Sequence, residues 1–341
     1  MAQRVNVYDV AKKAGVSQAT VSRVLNNHHY LKEKTKEKVL NAINELGFTR
    51  DELARGLAQR KTNTIGLIVG DISNPFYAES TSFIIEQAAI LGYDVIVTNT
   101  NHKDELLEKA VHSLTGKRVD GMIISSINRQ SPKLEELNRS GFPIVFYGSG
   151  IKDSNMNYVG VQNELGIELS VEHLVKLGHS KIGYICGPLR FDAMYRRYIG
   201  YETALRNFDI PILEEHIYRG EYDFEEIEKF TFKLLNSENP PTGIIAASDQ
   251  MALAVLSAAA KSKIDVPQDL SVIGFDDTKI ASNEYIGLTT ISQQKEKMAA
   301  LTLEALVSLI DSTDTQMNNI QQTIPPELVI RKTTTSAKKR K

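Results

Sequence analysis

The adjacent carboxylates Asp276 and Asp277 are the obvious place to look for acid–base chemistry in this 341-residue sequence. Neighbouring residues on a strand point to opposite faces, so the two cannot share one substrate. His28 and His29 are also adjacent, but no cysteine lies near them to complete a metal site. The sequence contains no Gly-x-x-x-x-Gly-Lys-Ser/Thr, Gly-x-Ser-x-Gly, His-Glu-x-x-His or Gly-x-Gly-x-x-Gly run. An enzyme is therefore not expected, nor a cofactor, a metal or a catalytic residue. The polar residues suit recognition instead. One short amphipathic stretch presents Gln18, Ala19, Ser22 and Arg23 on its polar side. A second group falls at the ends of apolar runs: Asp71 to Tyr77, Asn99 to Asn101, Ser125-Ser126, Gly148, Gly187 to Arg190, Ser248-Asp249 and Asp276-Asp277. Carboxylates, amides and hydroxyls bind vicinal hydroxyl groups, and aromatic faces cover the apolar side of a sugar ring.

The first group needs a helix pair to position it. Val7, Val10, Ala11 and Ala14 recur at helical spacing. Gly15 supplies a left-handed stop, and Ser17 stands where an N-cap belongs. A second helix over 18–26 buries Val21, Val24 and Leu25. Two short helices across a Gly-containing turn are a helix-turn-helix. A third helix is expected from about Lys36 to Leu46, ended by Gly47.

The second group needs sheets. From Thr64 onward, short apolar runs alternate with amphipathic ones. Expected strands are Ile65–Val69, Asp94–Thr98, Gly121–Ser125 and Ile144–Tyr147, then Val159–Val161, Ile182–Cys186, Ile217–Arg219, Ile244–Ala247 and Val272–Phe275. Helical patterns such as Phe76–Leu91, Glu164–Leu177 and Met251–Ala260 fall between them. This alternation predicts parallel sheets with helices on both faces, in two doubly wound lobes. Ligands of such sheets bind beyond the carboxyl ends of the strands, where the second group lies.

Charge separates the parts. Lys and Arg total 40 against 42 Asp and Glu. Met1 to Lys61 holds twelve basic and six acidic residues, and Arg331 to Lys341 six basic and none acidic. The stretch between carries the compensating negative charge. A basic head on an acidic body suits a head that meets a polyanion. A single cysteine gives no internal disulfide, no apolar stretch reaches membrane-spanning length, and the N-terminus shows no signal-peptide core. A cytoplasmic protein without membrane association is expected.

The run Val7-Tyr-Asp-Val-Ala-Lys-Lys-Ala-Gly-Val-Ser-Gln-Ala-Thr-Val-Ser-Arg-Val-Leu-Asn26 closely resembles the N-terminal signature of the LacI/GalR family of transcriptional regulators. Asp71-Ile-Ser-Asn-Pro-Phe-Tyr77, Arg197-Tyr-Ile-Gly200, Ser248-Asp-Gln-Met-Ala252 and Gly274-Phe-Asp-Asp277 resemble further family runs, so the likeness covers nearly the whole chain. It implies a helix-turn-helix domain over 1–49, a hinge helix over 50–61, and an effector-binding and dimerisation domain of periplasmic-binding-protein type over 62–331. Lobe one would take about 62–160 and 292–322, and lobe two about 161–291 and 323–331. A disordered basic tail over 332–341 is expected from its charge.

The resemblance also implies roles. The second helix enters the major groove, where base edges differ in donors and acceptors. Gln18 then reads adenine or bridges to a neighbour, Ala19 meets a thymine methyl, and Arg23 reaches guanine. Ser17, Thr20, Ser22 and Tyr8 suit phosphates, and Asn26 closes the motif. Ala54, Arg55 and Leu57 match the hinge, with Leu57 as a minor-groove wedge at a central CpG step. Arg50 stands where the family usually has Pro. The effector contacts implied are Asp71, Ser73, Asn74, Phe76, Ser125, Gln162, Arg197, Tyr222, Ser248, Asp249 and Asp276, with Asp249 alternatively a helix cap. Gly148 stands where a charged residue is common, and Ser248 where Asn often stands. The expected function is a regulator, a repressor by preference, that binds a palindromic double-stranded DNA operator as a homodimer under control of a sugar or sugar phosphate. A nucleobase or protein coregulator, or a sugar-binding protein with no regulatory role, are the alternatives.

Overall fold

The computed structural model describes residues 5–25, 31–48, 61–126, 128–129, 136–137, 139–148, 150, 155–312 and 319–338. The chain forms two compact units, residues 1–62 and 63–341. Asn26, the histidine pair and the hinge residues Ala54, Arg55 and Leu57 lie outside the described residues.

The head is built from α1 (Val7–Ala14), α2 (Gln18–Leu25) and α3 (Glu33–Leu46). Asn6 caps α1: its side chain accepts from the Tyr8 and Asp9 amides at 2.8 and 3.2 Å, and Asp9 accepts from the Asn6 amide at 2.9 Å. This reciprocal pair satisfies N–H groups that the helix itself leaves unpaired. Gly15 ends α1 in the left-handed conformation, at φ 67°. The Ser17 hydroxyl accepts from the Thr20 amide at 3.2 Å and lies 2.9 Å from the Thr20 hydroxyl. Val10, Ala11, Val21, Val24, Val39, Ala42 and Phe48 bury the common core. Helix α3 begins earlier than its apolar stripe indicates, because the polar Glu33–Thr35 turn precedes the first buried residue, Val39.

The body contains two six-stranded sheets. Lobe one uses β1 (Thr64–Val69), β2 (Asp94–Asn99), β3 (Gly121–Ser125), β4 (Ile144–Gly148), β5 (Tyr158–Val161) and β11 (Gln321–Ile324). Lobe two uses β6 (Ile182–Ile185), β7 (Ile217–Tyr218), β8 (Gly243–Ala246), β9 (Ser271–Asp276), β10 (Thr289–Ser292) and β12 (Glu327–Val329). The orders are β11-β5-β4-β3-β1-β2 and β12-β10-β9-β8-β6-β7. All pairings are parallel except β10 with β12. Central strands such as β3 and β9 are buried along their whole length, as a sheet covered on both faces requires.

Lobe one carries α4 (Pro75–Ile90) and α5 (Asp104–Gly116); lobe two carries α6 (Asn163–Lys176), α7 (Asp192–Asn207), α8 (Phe224–Leu235) and α9 (Asp249–Lys261). Helix α10 (Lys295–Asp311) returns to lobe one, where Met298, Ala299, Leu303 and Leu306 join Ile65, Leu67, Val145 and Val159 in one core. The chain thus passes between the sheets three times: after β5, after β10 and after β11.

The C-terminal segment corrects one expectation. Residues 332–338 pack against lobe two instead of trailing from it. The Val272 amide donates to Thr333 O at 2.8 Å, Thr335 N to the Ser271 hydroxyl at 3.1 Å, and Ala337 N to Leu177 O at 2.8 Å. The physical reason is the threonine run Thr333–Thr335, whose backbone and hydroxyls satisfy the lobe edge. Among the tail's lysines and arginine, the described ones point to surface acids, as Lys338 does to Asp269 at 2.5 Å.

Candidate functional site

The head exposes a polar strip on one side of α2. Ser17, Gln18, Ala19, Ser22 and Arg23 are exposed, Thr20 is half-buried, and Tyr8 of α1 is 59% exposed. The strip exists because Val21 and Val24 take the opposite face into the core. Exposed amide, hydroxyl and guanidinium groups at a helix N-terminal half are suited to base edges and phosphates.

The body encloses a cleft between its lobes. Residues of both lobes line it. Lobe one contributes Asn74, Phe76, Tyr77, His102, Ser126, Tyr147 and Gly148. Lobe two contributes Phe191, Ala193, Met194, Arg197, Tyr222, Ser248, Asp276 and Gln293. Most stand at carboxyl ends of strands or on the first turn of the following helix.

Arg197 and Asp276 form the polar floor. Arg197 lies on α7, which approaches α6 so closely that a Cβ on Gly200 would sit 2.5 Å from Glu164 O. The glycine of the Arg-x-x-Gly run therefore lets the helices meet and brings the guanidinium to Asn163, whose Oδ1 accepts from Nε at 2.8 Å. The same guanidinium donates to Ala247 O, lies 3.7 Å from Asp276 Oδ1, and stacks 3.6 Å over the Phe275 ring. Asp276 accepts from Gln293 Nε2 at 2.6 Å. Burial pushes its carboxyl up to about 7 even with Arg197 beside it. At neutral pH Asp276 can therefore both donate and accept.

Asp276 sits on strained backbone, with φ 131°, followed by Asp277 at φ 52°. Non-glycine residues in this region are uncommon and persist where surrounding structure holds them. Lys295, at the start of α10, does so: Nζ donates to Asp276 O at 2.7 Å and Asp277 O at 2.6 Å, and pairs with Glu79 of α4 at 3.4 Å. Glu79 also accepts from the Lys279 amide at 2.8 Å. One buried lysine thus joins the cleft floor to both lobes.

The upper wall is aromatic. His102, after β2, places its ring 4.8 Å from Tyr222 and 5.2 Å from Phe191 across the cleft, and 5.9 Å from Tyr77 on its own lobe. Its Nδ1 lies 2.6 Å from the Ser126 hydroxyl. Phe76 packs on Tyr77 and Tyr147. At the mouth, Arg190 forks onto Glu221 at 2.5 and 2.7 Å, and Arg129 pairs with Asp192 at 3.6 Å.

Of the residues singled out in the sequence, Asn74, Phe76, Arg197, Tyr222, Ser248 and Asp276 line this cleft, as do Tyr77, Ser126 and Gly148 from the strand-end group. The others lie elsewhere, each for a visible reason. Asp71 accepts from the amide and hydroxyl of Ser73 at 2.9 and 2.7 Å, so the two close a turn outside the lining. The Ser125 hydroxyl donates to Ile68 O at 3.1 Å inside the sheet. Gln162 reaches Thr323 at 3.5 Å along the crossover. Asp249 accepts from Thr278 N, Thr278 Oγ1 and Thr290 Oγ1 at 2.7, 2.9 and 2.5 Å, which spends its carboxylate on the fold. Ser248 caps α9 through Met251 N at 3.2 Å while lining the cleft. His102, Tyr147, Phe191, Ala193, Met194 and Gln293 are lining residues that sequence reasoning did not single out. His102 stands one position past the polar stretch Asn99–Asn101, and only the fold turns its ring toward lobe two.

No group of three or more His, Cys, Asp or Glu among the described residues could hold a metal ion. No helix among them is long and apolar enough to cross a membrane.

A helix-turn-helix head and two sheet lobes closing on a polar cleft define a DNA-binding transcriptional regulator with an effector domain of periplasmic-binding-protein type. Residues 6–51 match the bacterial regulatory proteins of the lacI family, and residues 171–334 a periplasmic binding protein-like domain. The chain belongs to the LacI family. Catabolite control protein A of Priestia megaterium is 33% identical over 331 residues, 97% of this chain and 99% of that one. The HTH-type transcriptional repressor PurR of Actinobacillus pleuropneumoniae is 32% identical over 326 residues, 96% of this chain and 97% of that one. The structure of the lac repressor dimer bound to operator and the anti-inducer ONPF matches with a TM-score of 0.87 at 32% identity, over 98% of this chain and 100% of that one. A transcriptional regulator CelR–cellobiose complex matches at 0.72 and 28%, over 97% and 100%. These relatives are regulators, not enzymes.

Proposed function

We propose that this chain is a repressor that binds a palindromic operator as a homodimer and is controlled by a small carbohydrate held in the inter-lobe cleft. The observation that carries the effector assignment is the cleft itself. Aromatic rings from both lobes face a floor of Asp276, Gln293 and Asn74, which pairs ring-stacking surface with hydrogen-bonding groups for hydroxyls. A two-fold operator needs two heads, which supports the dimer. Gln18 and Arg23 are the base readers, with Ser17, Thr20, Ser22 and Tyr8 on phosphates. Effector binding draws the lobes together through residues of both, and the shift in DNA affinity is limited by the effector's preference for one of the two states.

The test is selection of random duplex DNA by the purified protein, with and without a panel of sugars. An enriched palindrome whose binding changes with one sugar is expected. A palindrome that responds only to a purine base would replace the carbohydrate reading, and the PurR relative makes purines the natural comparison. No enrichment under any condition would overturn the operator reading.

A further inference from the structure

We infer that the effector is an uncharged, unphosphorylated carbohydrate and that His102 is the lobe-one residue that hydrogen-bonds it; this rests on the carbohydrate reading above. The first support is how His102 is held. Ser126 fixes the ring at Nδ1, at 2.6 Å. The ring is wedged against Phe191 and Tyr222 of the opposite lobe. Nε2 has no hydrogen-bond partner among the described residues. The backbone is cut away for this imidazole: a Cβ on Gly70 would lie 2.5 Å from its Cε1 and 2.6 Å from its Nδ1. A ring with one nitrogen anchored and the other open, in a cleft, is arranged to meet a ligand atom.

The second support is charge. Arg197 is the one guanidinium among the described lining residues, and it is spent on Asn163, Ala247 O and Asp276. His102 is held neutral: burial lowers its affinity for a proton, Arg190 lowers it further, and Asp71 and Glu221 oppose both. The open valences are therefore uncharged or acidic. They are His102 Nε2, the Asn74 amide, whose oxygen alone is used, by Phe76 N at 3.0 Å, and the second oxygen of Asp276. The Tyr147 hydroxyl is buried and makes no hydrogen bond of normal geometry. Such groups match hydroxyls. A phosphate would lose its water, would find no unspent cation among the described lining residues, and would face Asp276.

The experiment is a thermal-shift and calorimetric screen of the full chain. Neutral pentoses, hexoses and disaccharides are each measured beside their monophosphates, with adenine, guanine and uracil as controls. A neutral sugar that binds at least about 100-fold more tightly than its phosphate is expected. A phosphate that binds as tightly as its neutral parent, or more so, overturns the inference and leaves the carbohydrate reading standing. Binding of a nucleobase alone, or of no sugar at all, overturns the carbohydrate reading itself. With the binding sugar in hand, His102→Ala should weaken it about tenfold or more, and His102→Gln, which keeps a donor and acceptor, should weaken it less. Gly70→Ala should reproduce the His102→Ala loss by displacing the ring. Melting of each unliganded variant separates folding from binding. Unchanged affinity in His102→Ala removes the residue from the proposal.

Discussion

Replacing Lys295 with Met removes one ammonium from three partners at once. The side chain is 8% exposed and Glu79 15%, so little water can take over. Nζ donates to Asp276 O and Asp277 O at 2.7 and 2.6 Å, and charge-assisted hydrogen bonds contribute about 1.5–3 kcal/mol each. Met keeps the apolar stem and relieves the cost of burying the ammonium. Glu79, however, is left as a nearly buried carboxylate with only the Lys279 amide, and breaking such a pair costs about 3–5 kcal/mol. A loss of about 3–5 kcal/mol is expected, or roughly 6–20 °C in melting temperature at about 2–4 °C per kcal/mol. The assay is urea unfolding of Lys295→Met, Glu79→Leu and the double variant. The double variant should recover part of the loss, giving a coupling of about 0.5–3 kcal/mol. The φ 131° conformation at Asp276 should relax in the single variant, so effector affinity should fall with stability. A single-variant loss under about 1 kcal/mol, or strict additivity in the cycle, would refute the idea that Lys295 holds this turn.

Further outcomes can be checked directly. Arg23→Ala should cost about 1–3 kcal/mol of operator affinity and relax the base preference at one position, measured by anisotropy on variant duplexes. Wild-type operator binding should weaken steeply with salt, and a flat profile would refute the electrostatic account of the basic head. Asp276, raised to about 7, holds a proton in the folded state between about pH 4 and 7 that the unfolded chain releases. Its contribution to stability therefore falls as pH rises through that window and is level above it. Asp276→Asn should flatten the corresponding part of the unfolding profile, and identical profiles would show that the carboxyl is not shifted. Asp249→Ala should destabilise the body by about 2–4 kcal/mol, by stranding Thr278 N and two hydroxyls, while the folded fraction keeps its effector affinity. Loss of affinity without loss of stability would return Asp249 to the binding site.

Most buried strands were legible because runs such as Gly121–Ser125 are apolar throughout, and Gly15 and Gly47 mark helix ends plainly; the buried β10 was not, because Thr289-Thr290-Ile291-Ser292 is mostly hydroxyl-bearing. Strands β11 and β12 were not, since edge strands carry exposed residues such as Gln321, Gln322 and Glu327 and show no apolar signal. Charge gave the tail a reading of disorder, whereas the hydroxyls of Thr333–Thr335 decide its place. In the cleft, Arg197 and Asp276 stand in recognisable runs. Ser125 closes β3 with its side chain turned inward, which strand alternation decides only once register is known, and Asp249 opens α9 with its carboxylate turned to Thr278 and Thr290, which are remote in sequence. His102 was illegible because its partners Phe191 and Tyr222 are remote in sequence and meet it only when the lobes do.

The triple passage between sheets has a consequence for synthesis. The strands β1 to β5 emerge early from the ribosome, but the helix that covers one of their faces, α10, and their edge strand β11 are translated after all the interior strands of lobe two. At about 5–20 residues per second the nascent first lobe waits on the order of tens of seconds with apolar surface uncovered. Neither lobe can close its sheet until the last residues arrive. A truncated transcript or an early stop would thus yield two open half-built lobes for chaperones and proteases, and never a shortened regulator still able to occupy DNA with a sound effector domain.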